Sequence, residues 1–304
     1  MVSLPDEIRQ FCRNHGLKLN TDLGQHFLLD ASILDRIVET AEIAKTDTIV
    51  EIGPGIGVLT RKLLERAGSV IAIELDERMI PPLREFVRRN PPPPKGEGPG
   101  VGELTVINAN ALHTGMPETP YKVVANIPYH ITSPLLRHLF LESKKTPASL
   151  TLLIQREVAE RICQAPAKTL SDPERARRDE EESKGVKGNA GMLTILVGLF
   201  GKPKIVARVP PDAFLPPPKV DSAVLHIECF ERPLADAATV EQLFKLTKIA
   251  FGQKRKMLRN TLGAFHGGLE RLAGLHIEPT RRPQTLSVEE WIALARVWPE
   301  DLDA

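Results

Sequence analysis

Cysteine is scarce in this chain: Cys12, Cys163 and Cys229 are an odd set, far apart and without metal-ligand spacing. That excludes a disulfide framework or a cysteine-held metal, and reads as reduced thiols in a cytoplasm. Long apolar runs are also missing. The longest, Met192 to Phe200, falls well short of the ~20 residues that cross a bilayer, and Met1-Val2-Ser3-Leu4-Pro5-Asp6-Glu7 does not read as a signal peptide. Neither sign of charge dominates. Lys+Arg is 40 and Asp+Glu 39, so net charge says nothing for or against a nucleic-acid partner and local charge must decide. Aromatic residues make up 5%, with two tyrosines, so core packing is not a habitual use of tyrosine here. No internal repeat is found. What remains is a globular composition, 42% hydrophobic over 304 residues, enough for one large domain and a small one.

The organising stretch is Thr48-Ile49-Val50-Glu51-Ile52-Gly53-Pro54-Gly55-Ile56-Gly57-Val58-Leu59-Thr60. Ile49, Val50 and Ile52 predict a buried parallel strand, and Val58, Leu59, Leu63 and Leu64 the start of a helix. Glycine admits positive φ and close backbone approach, and the helix behind the turn offers free N–H groups. Strand, glycine turn and helix build the ligand pocket of a doubly wound α/β sheet. The glycines fall as G-x-G-x-G after Glu51, rather than the dinucleotide G-x-G-x-x-G. This is the pattern of methyltransferases that use S-adenosylmethionine (AdoMet). It also argues against a nicotinamide oxidoreductase. A second buried strand, Val70 to Ile73, ends in Glu74, where an acid takes the hydroxyls of a ribose; an ordinary strand-end acid is the competing reading, with Asp76 and Glu77 beside it.

Upstream, residues 6 to 15 predict a short amphipathic helix. Leu23-Gly24-Gln25-His26-Phe27-Leu28-Leu29-Asp30 then places a polar pair on an apolar segment, a loop able to lie over a cofactor. His26 by itself also fits a surface or core histidine. Asp30 or Ser32 can cap the helix that follows. Downstream, Met79 to Arg89 is a basic helix. The proline and glycine cluster at residues 90 to 100 is an exposed insert, and Leu104 to Ile107 is a third strand. The amide of Asn110 just after it offers a donor and an acceptor to an adenine edge.

The fourth strand, Lys122 to Ala125, runs into Asn126-Ile127-Pro128-Tyr129. An exocyclic amine on a base is a poor nucleophile because its lone pair is delocalised into the ring. Two acceptors holding its hydrogens aim that lone pair at a donor methyl. The Asn126 side-chain oxygen and the Ile127 carbonyl can serve, with Pro128 stiffening the turn and Tyr129 offering a face for the base. No carboxylate base is required, since positioning carries much of the barrier. An Asn-Pro turn with a packed tyrosine is the structural alternative.

A helix over 132 to 141, capped by Thr132 or Ser133, a fifth strand at Leu150 to Gln155 and a helix from Arg156 to Ile162 follow. Residues 164 to 191 are of low complexity and read as a mobile insert. Met192 to Phe200 is a buried helix, and Lys204 to Val209 and Ser222 to Ile227 are two closing strands. The stiff loop between them either presents Phe214 to the second face of the base or buries it in the core. From about residue 231 the pattern is helical. Lys245, Lys248, Lys254, Arg255, Lys256 and Arg259 run without an acid and fit a phosphate-contacting surface.

These motifs together resemble the ribosomal RNA adenine dimethyltransferases. The resemblance is carried by Leu23 to Leu28, Val50 to Gly57, Asn126 to Tyr129, Pro217-Pro218-Lys219-Val220-Asp221-Ser222 and Lys254 to Asn260, in the family's order across most of the chain. It implies a Rossmann-like, seven-stranded AdoMet-dependent methyltransferase domain over residues 1 to 230 and a small helical RNA-binding domain over 231 to 304. It further implies AdoMet as donor and N6,N6-dimethyladenosine, at two adjacent adenosines near the 3′ end of small-subunit RNA, as product. The enzyme would be a cytoplasmic monomer acting on that RNA or on the immature subunit, away from membranes. Carried over, the cofactor contacts are His26, Leu28, Gly53, Glu74, Asn110 and Asn126, to which the glycine motif itself adds Glu51, Gly55 and Gly57. The base is held by Asn126, Ile127, Pro128, Tyr129 and Phe214, and RNA by Lys219, Lys254, Arg255, Lys256 and Arg259. Asn110 departs from the family's usual aspartate, and both inserts depart from its usual length. Competing readings are a large-subunit methylase of the antibiotic-resistance type and a non-catalytic assembly or transcription factor. All of this requires the glycine corner and the Asn-Pro corner to open into a common cavity.

Overall fold

The computed structural model describes residues 3–17, 25–89, 102–164, 191–253 and 256–299. They group into two compact units: Met1–Ala159 with Lys202–Glu231, and Glu160–Gly201 with Arg232–Ala304.

The first unit is built on a seven-stranded sheet. Its strands are β2 (Thr48–Ile52), β3 (Ser69–Glu74), β4 (Glu103–Asn108), β5 (Lys122–Asn126), β6 (Ser149–Gln155), β7 (Gly201–Val209) and β9 (Ser222–Cys229). A separate two-stranded ribbon joins β1 (Phe27–Leu28) to β8 (Phe214–Leu215). The sheet order is β4-β3-β2-β5-β6-β9-β7. The pairs from β4 through β6 are parallel, and β9 runs antiparallel to β6. The predicted strands are all present: the central β2, β5 and β6 are apolar runs buried on both faces, whereas β4 and β7 lie at the edges and are only partly covered.

Among the described residues, six helices accompany them: α1 (Leu4–Asn14), α2 (Ala31–Thr40), α3 (Val58–Leu64), α4 (Ile80–Arg89), α5 (Thr132–Arg137) and α6 (Arg156–Cys163). Asp30 caps α2, accepting from the Ser32 and Ile33 amides. Neither Thr132 nor Ser133 caps α5. The cap position is Ile131, and the Thr132 hydroxyl instead donates to the Tyr129 carbonyl at 3.1 Å. The predicted helix over 132 to 141 is α5 followed by a π-type turn at His138–Glu142.

The chain moves from β2 to β3 on one side and returns to place β5 on the other. The carboxyl ends of β2 and β5 therefore flank the point where strand order reverses, which is where a doubly wound sheet opens a crevice.

The second unit contains the helices Met192–Phe200, Ala237–Gly252, Gly268–Gly274 and Val288–Val297. Trp291 lies fully buried within it. Ser287 and Glu290 form a reciprocal capping box, and Glu290 also takes a forked pair from Arg281. Among the described residues, no helix is long and apolar enough to cross a membrane.

Candidate active site

The corner after β2 turns through Gly53, Gly55 and Gly57, all at positive φ. A Cβ on Gly55 would lie 2.6 Å from a Phe27 ring carbon, so the segment carrying β1 presses directly on the turn. Gly57, read as a cofactor contact, faces away. Its missing Cβ leaves room for Leu83 of α4 at 2.6 Å, so this glycine serves helix packing. A Cβ on Gly53 would sit 3.6 Å from the Pro128 ring and 4.0 Å from the Asn126 carbonyl oxygen. The glycine corner and the Asn-Pro corner are thus in contact.

Glu74 closes the end of β3 and is buried. One carboxylate oxygen accepts from the Gly55 amide at 3.1 Å and the other from the Asp76 amide at 2.9 Å. Burial pushes its pKa up, against the pull of these amides. The two bonds orient the carboxylate and leave a lone pair on each oxygen.

At the end of β5 the Asn126 side-chain nitrogen donates to the His26 carbonyl at 2.9 Å. A carbonyl only accepts, so this contact settles which end of the amide faces it. The Asn126 side-chain oxygen is turned the other way and accepts no hydrogen bond among the described residues. The His26 ring donates from Nδ1 to the Pro216 carbonyl at 2.7 Å. It lies 6.2 Å from the Tyr129 ring, at an angle of 17° between planes. The Tyr129 hydroxyl meets Ser222 Oγ at 2.5 Å. Burial raises the phenol's pKa and the Ser222 bond opposes that.

A cavity of about 620 Å³ opens between the two corners. It brings together His26, Leu28, Glu51, Gly53, Gly55, Glu74, Asn110, Asn126 and Pro128 of the predicted site. Gly57, Ile127, Tyr129 and Phe214 do not line it. Phe214 is packed in the core, 3% exposed, because its backbone pairs with Leu28 in the ribbon. It is not presented to a base. Asn110 stands exposed at the rim, its side-chain oxygen accepting from the Leu112 amide at 3.0 Å.

Glu51 is the site's electrostatic anomaly. It is 1% exposed, and its Oε2 has no hydrogen-bond partner. Burial pushes its pKa up to about 8; the Thr60 hydroxyl opposes this and the Glu74 charge adds to it. An unpartnered buried carboxyl lining a cavity fits a ligand that brings positive charge.

Among the lining residues that sequence reasoning did not place in the site are four at its mouth: Gln25, Leu75, Asp76 and Arg78. Gln25 donates to Asp76 Oδ2 at 3.1 Å across the mouth, and Arg78 forks onto both Asp76 oxygens at 2.8 Å. The Arg78 guanidinium, with Gln25 helping, holds the Asp76 carboxyl below its usual range. Leu75, 61% exposed, offers the cavity an apolar surface. The available signals were the polar pair Gln25-His26 and the acid at Asp76, two places past Glu74.

Of the cations, Lys219 is exposed in the first unit, and Lys256 and Arg259 are exposed in the second. Lys254, Arg255, Leu23, Gly24 and nearly all of both inserts lie outside the described residues.

The family model for ribosomal RNA adenine dimethylase matches residues 16–172 and 183–298. A curated ribosomal RNA small subunit methyltransferase A from Dehalococcoides mccartyi is 38% identical over 299 residues, covering 95% of this chain and 91% of its own length. Among solved structures, a dimethyladenosine transferase from Plasmodium falciparum is similar at TM-score 0.68 and 28% identity, over 88% of this chain and 95% of that one. The 23S rRNA methyltransferase ErmE follows at TM-score 0.65 and 26% identity, over 89% and 98%. With its methyltransferase-type sheet and the two corners in contact at the strand-order reversal, the chain belongs to the ribosomal RNA adenine dimethylase family.

Proposed function

We propose that this protein uses AdoMet to dimethylate the N6 amines of two adjacent adenosines near the 3′ end of small-subunit ribosomal RNA, as RNA or within the immature subunit. The observation that supports this best is the orientation of Asn126. Its nitrogen is committed to the His26 carbonyl, which leaves its oxygen without a partner among the described residues, on a residue that lines the cavity together with Gly53 and Gly55.

AdoMet, when bound, supplies a methyl group made electrophilic by its sulfonium. Its fit rests on the lining: Glu74 has lone pairs for ribose hydroxyls, Leu28 and Leu75 offer apolar surface, Asn110 reaches an adenine edge, and Glu51 awaits a cation. The adenosine leaves its stack and lies against the face of Tyr129. The Asn126 oxygen and the Ile127 carbonyl take the hydrogens of its amine, which localises the lone pair on nitrogen. Pro128 stiffens the carbonyl's turn. The methyl–sulfur bond would break with S-adenosylhomocysteine as the leaving group, the extra proton on the methylated amine leaves to solvent, and once a second AdoMet is bound the amine is presented again for a second transfer. Lys219, Lys254, Arg255, Lys256 and Arg259 contact phosphates, so binding weakens as salt rises.

The test is to incubate the protein with labelled AdoMet and, separately, immature small subunits and large-subunit RNA, then map the modified bases. Dimethylated adenosines near the small-subunit 3′ end are expected. Label confined to large-subunit RNA would overturn the substrate assignment, and label on neither would overturn the activity.

A further inference from the structure

Tyr129 is held at both ends. Its carbonyl accepts from the Thr132 hydroxyl at 3.1 Å, and its phenol oxygen meets Ser222 Oγ at 2.5 Å. Ser222 is itself immobile. It is fully buried, the first residue of β9, and in register with Gln155 on antiparallel β6. The residue before it is fixed as well. The Asp221 carbonyl accepts from the Arg156 amide at 3.0 Å, and the Asp221 carboxylate pairs with the Arg156 guanidinium at 2.6 Å.

A tyrosine side chain has two torsions to settle. Anchoring the phenol oxygen to a rigid strand removes what freedom the backbone leaves to them. A phenylalanine would offer the same face without the anchor. The hydroxyl is thus committed to orientation, and Tyr129 acts through its ring face.

We infer that Ser222 is a positioning residue: it holds the Tyr129 ring in the plane against which the target adenine stacks. This rests on the reaction proposed above. A ring free to rock would still bind RNA, but it would present the amine to Asn126 in the productive geometry less often. The expected loss is therefore in turnover rather than affinity.

The experiment compares Ser222→Ala, Tyr129→Phe and the double variant with the wild type, using immature small subunits. Each single variant should lower kcat by roughly 2- to 10-fold, the worth of one hydrogen bond. Dissociation constants for AdoMet and RNA should stay within about two-fold. The double variant should be no slower than the slower single one, because both changes break the same bond. Losses that multiply, or unchanged kcat in Tyr129→Phe, overturn the inference, and the latter does so even where Ser222→Ala does not fold. A second readout needs no activity. The chain has two tyrosines, so carbon-13 labelling of the phenol carbons gives two signals, assigned with Tyr121→Phe. Ser222→Ala should move the Tyr129 signal alone, and an unmoved signal overturns the inference. A wild type that transfers no methyl group refutes the proposed function instead, while the carbon-13 result still decides the contact.

Discussion

Replacing Glu51 with glutamine should remove a pH dependence from the protein's stability. In the folded protein without ligand, burial lifts this carboxyl from its ordinary 4.5 to about 8. Each tenfold difference in proton affinity is worth about 1.4 kcal/mol, so Glu51 accounts for on the order of 5 kcal/mol across that interval. The sign follows from where the proton is held. Between these values the folded chain keeps the proton and the unfolded chain has lost it. The contribution is complete below pH 4.5, declines as pH rises, and is gone above about 8. Glutamine resembles the protonated acid and carries no such linkage. Urea unfolding of both proteins, without ligand, from about pH 5 to 8 should give stability curves that diverge by about 1.4 kcal/mol per pH unit, the wild type falling faster. Taking the difference cancels groups that do not interact with Glu51, including His15 and His226, whose values also depart from the ordinary. Parallel curves would refute the claim that Glu51 is buried and protonated in the empty cavity.

Three further outcomes are expected. Asn126→Ala should lower methyl transfer by about 100-fold or more, as for a lost oxyanion-type contact, with RNA affinity nearly intact; filter binding beside single-turnover methylation checks both. Asn110→Asp keeps the acceptor for the Leu112 amide and adds charge at the cavity rim, so AdoMet should bind a few-fold tighter by titration; equal or weaker binding would count against the adenine-edge role. Gly55→Ala would bring its Cβ within 2.6 Å of the Phe27 ring at a φ of 58°, so a stability loss of about 1–3 kcal/mol is expected from thermal or urea melts.

Much of this protein was legible in its order of residues. The sheet strands show as short apolar runs, the β2 corner as alternating glycines, and the turn after β5 as Asn126 to Tyr129. Each is a property of neighbours along the chain, where periodicity and turn chemistry act. The choice of family was legible for the same reason, since its motifs are local and recur in a set order.

What only the tertiary structure decided lies between segments far apart. The contact of Gly53 with Pro128 exists because β2 and β5 are neighbours at the strand-order reversal. The rotamer of Asn126 is set by a carbonyl a hundred residues away, at His26. Phe214 went to the core because the ribbon with Leu28 carried it there, and Gly57 turned to α4 because that helix packs over the corner. Glu51 reads as any motif acid until burial withholds water and partners from its carboxyl. Local pattern selects each element, whereas the direction a side chain faces, and the charge it keeps, depend on which distant segment the fold sets against it.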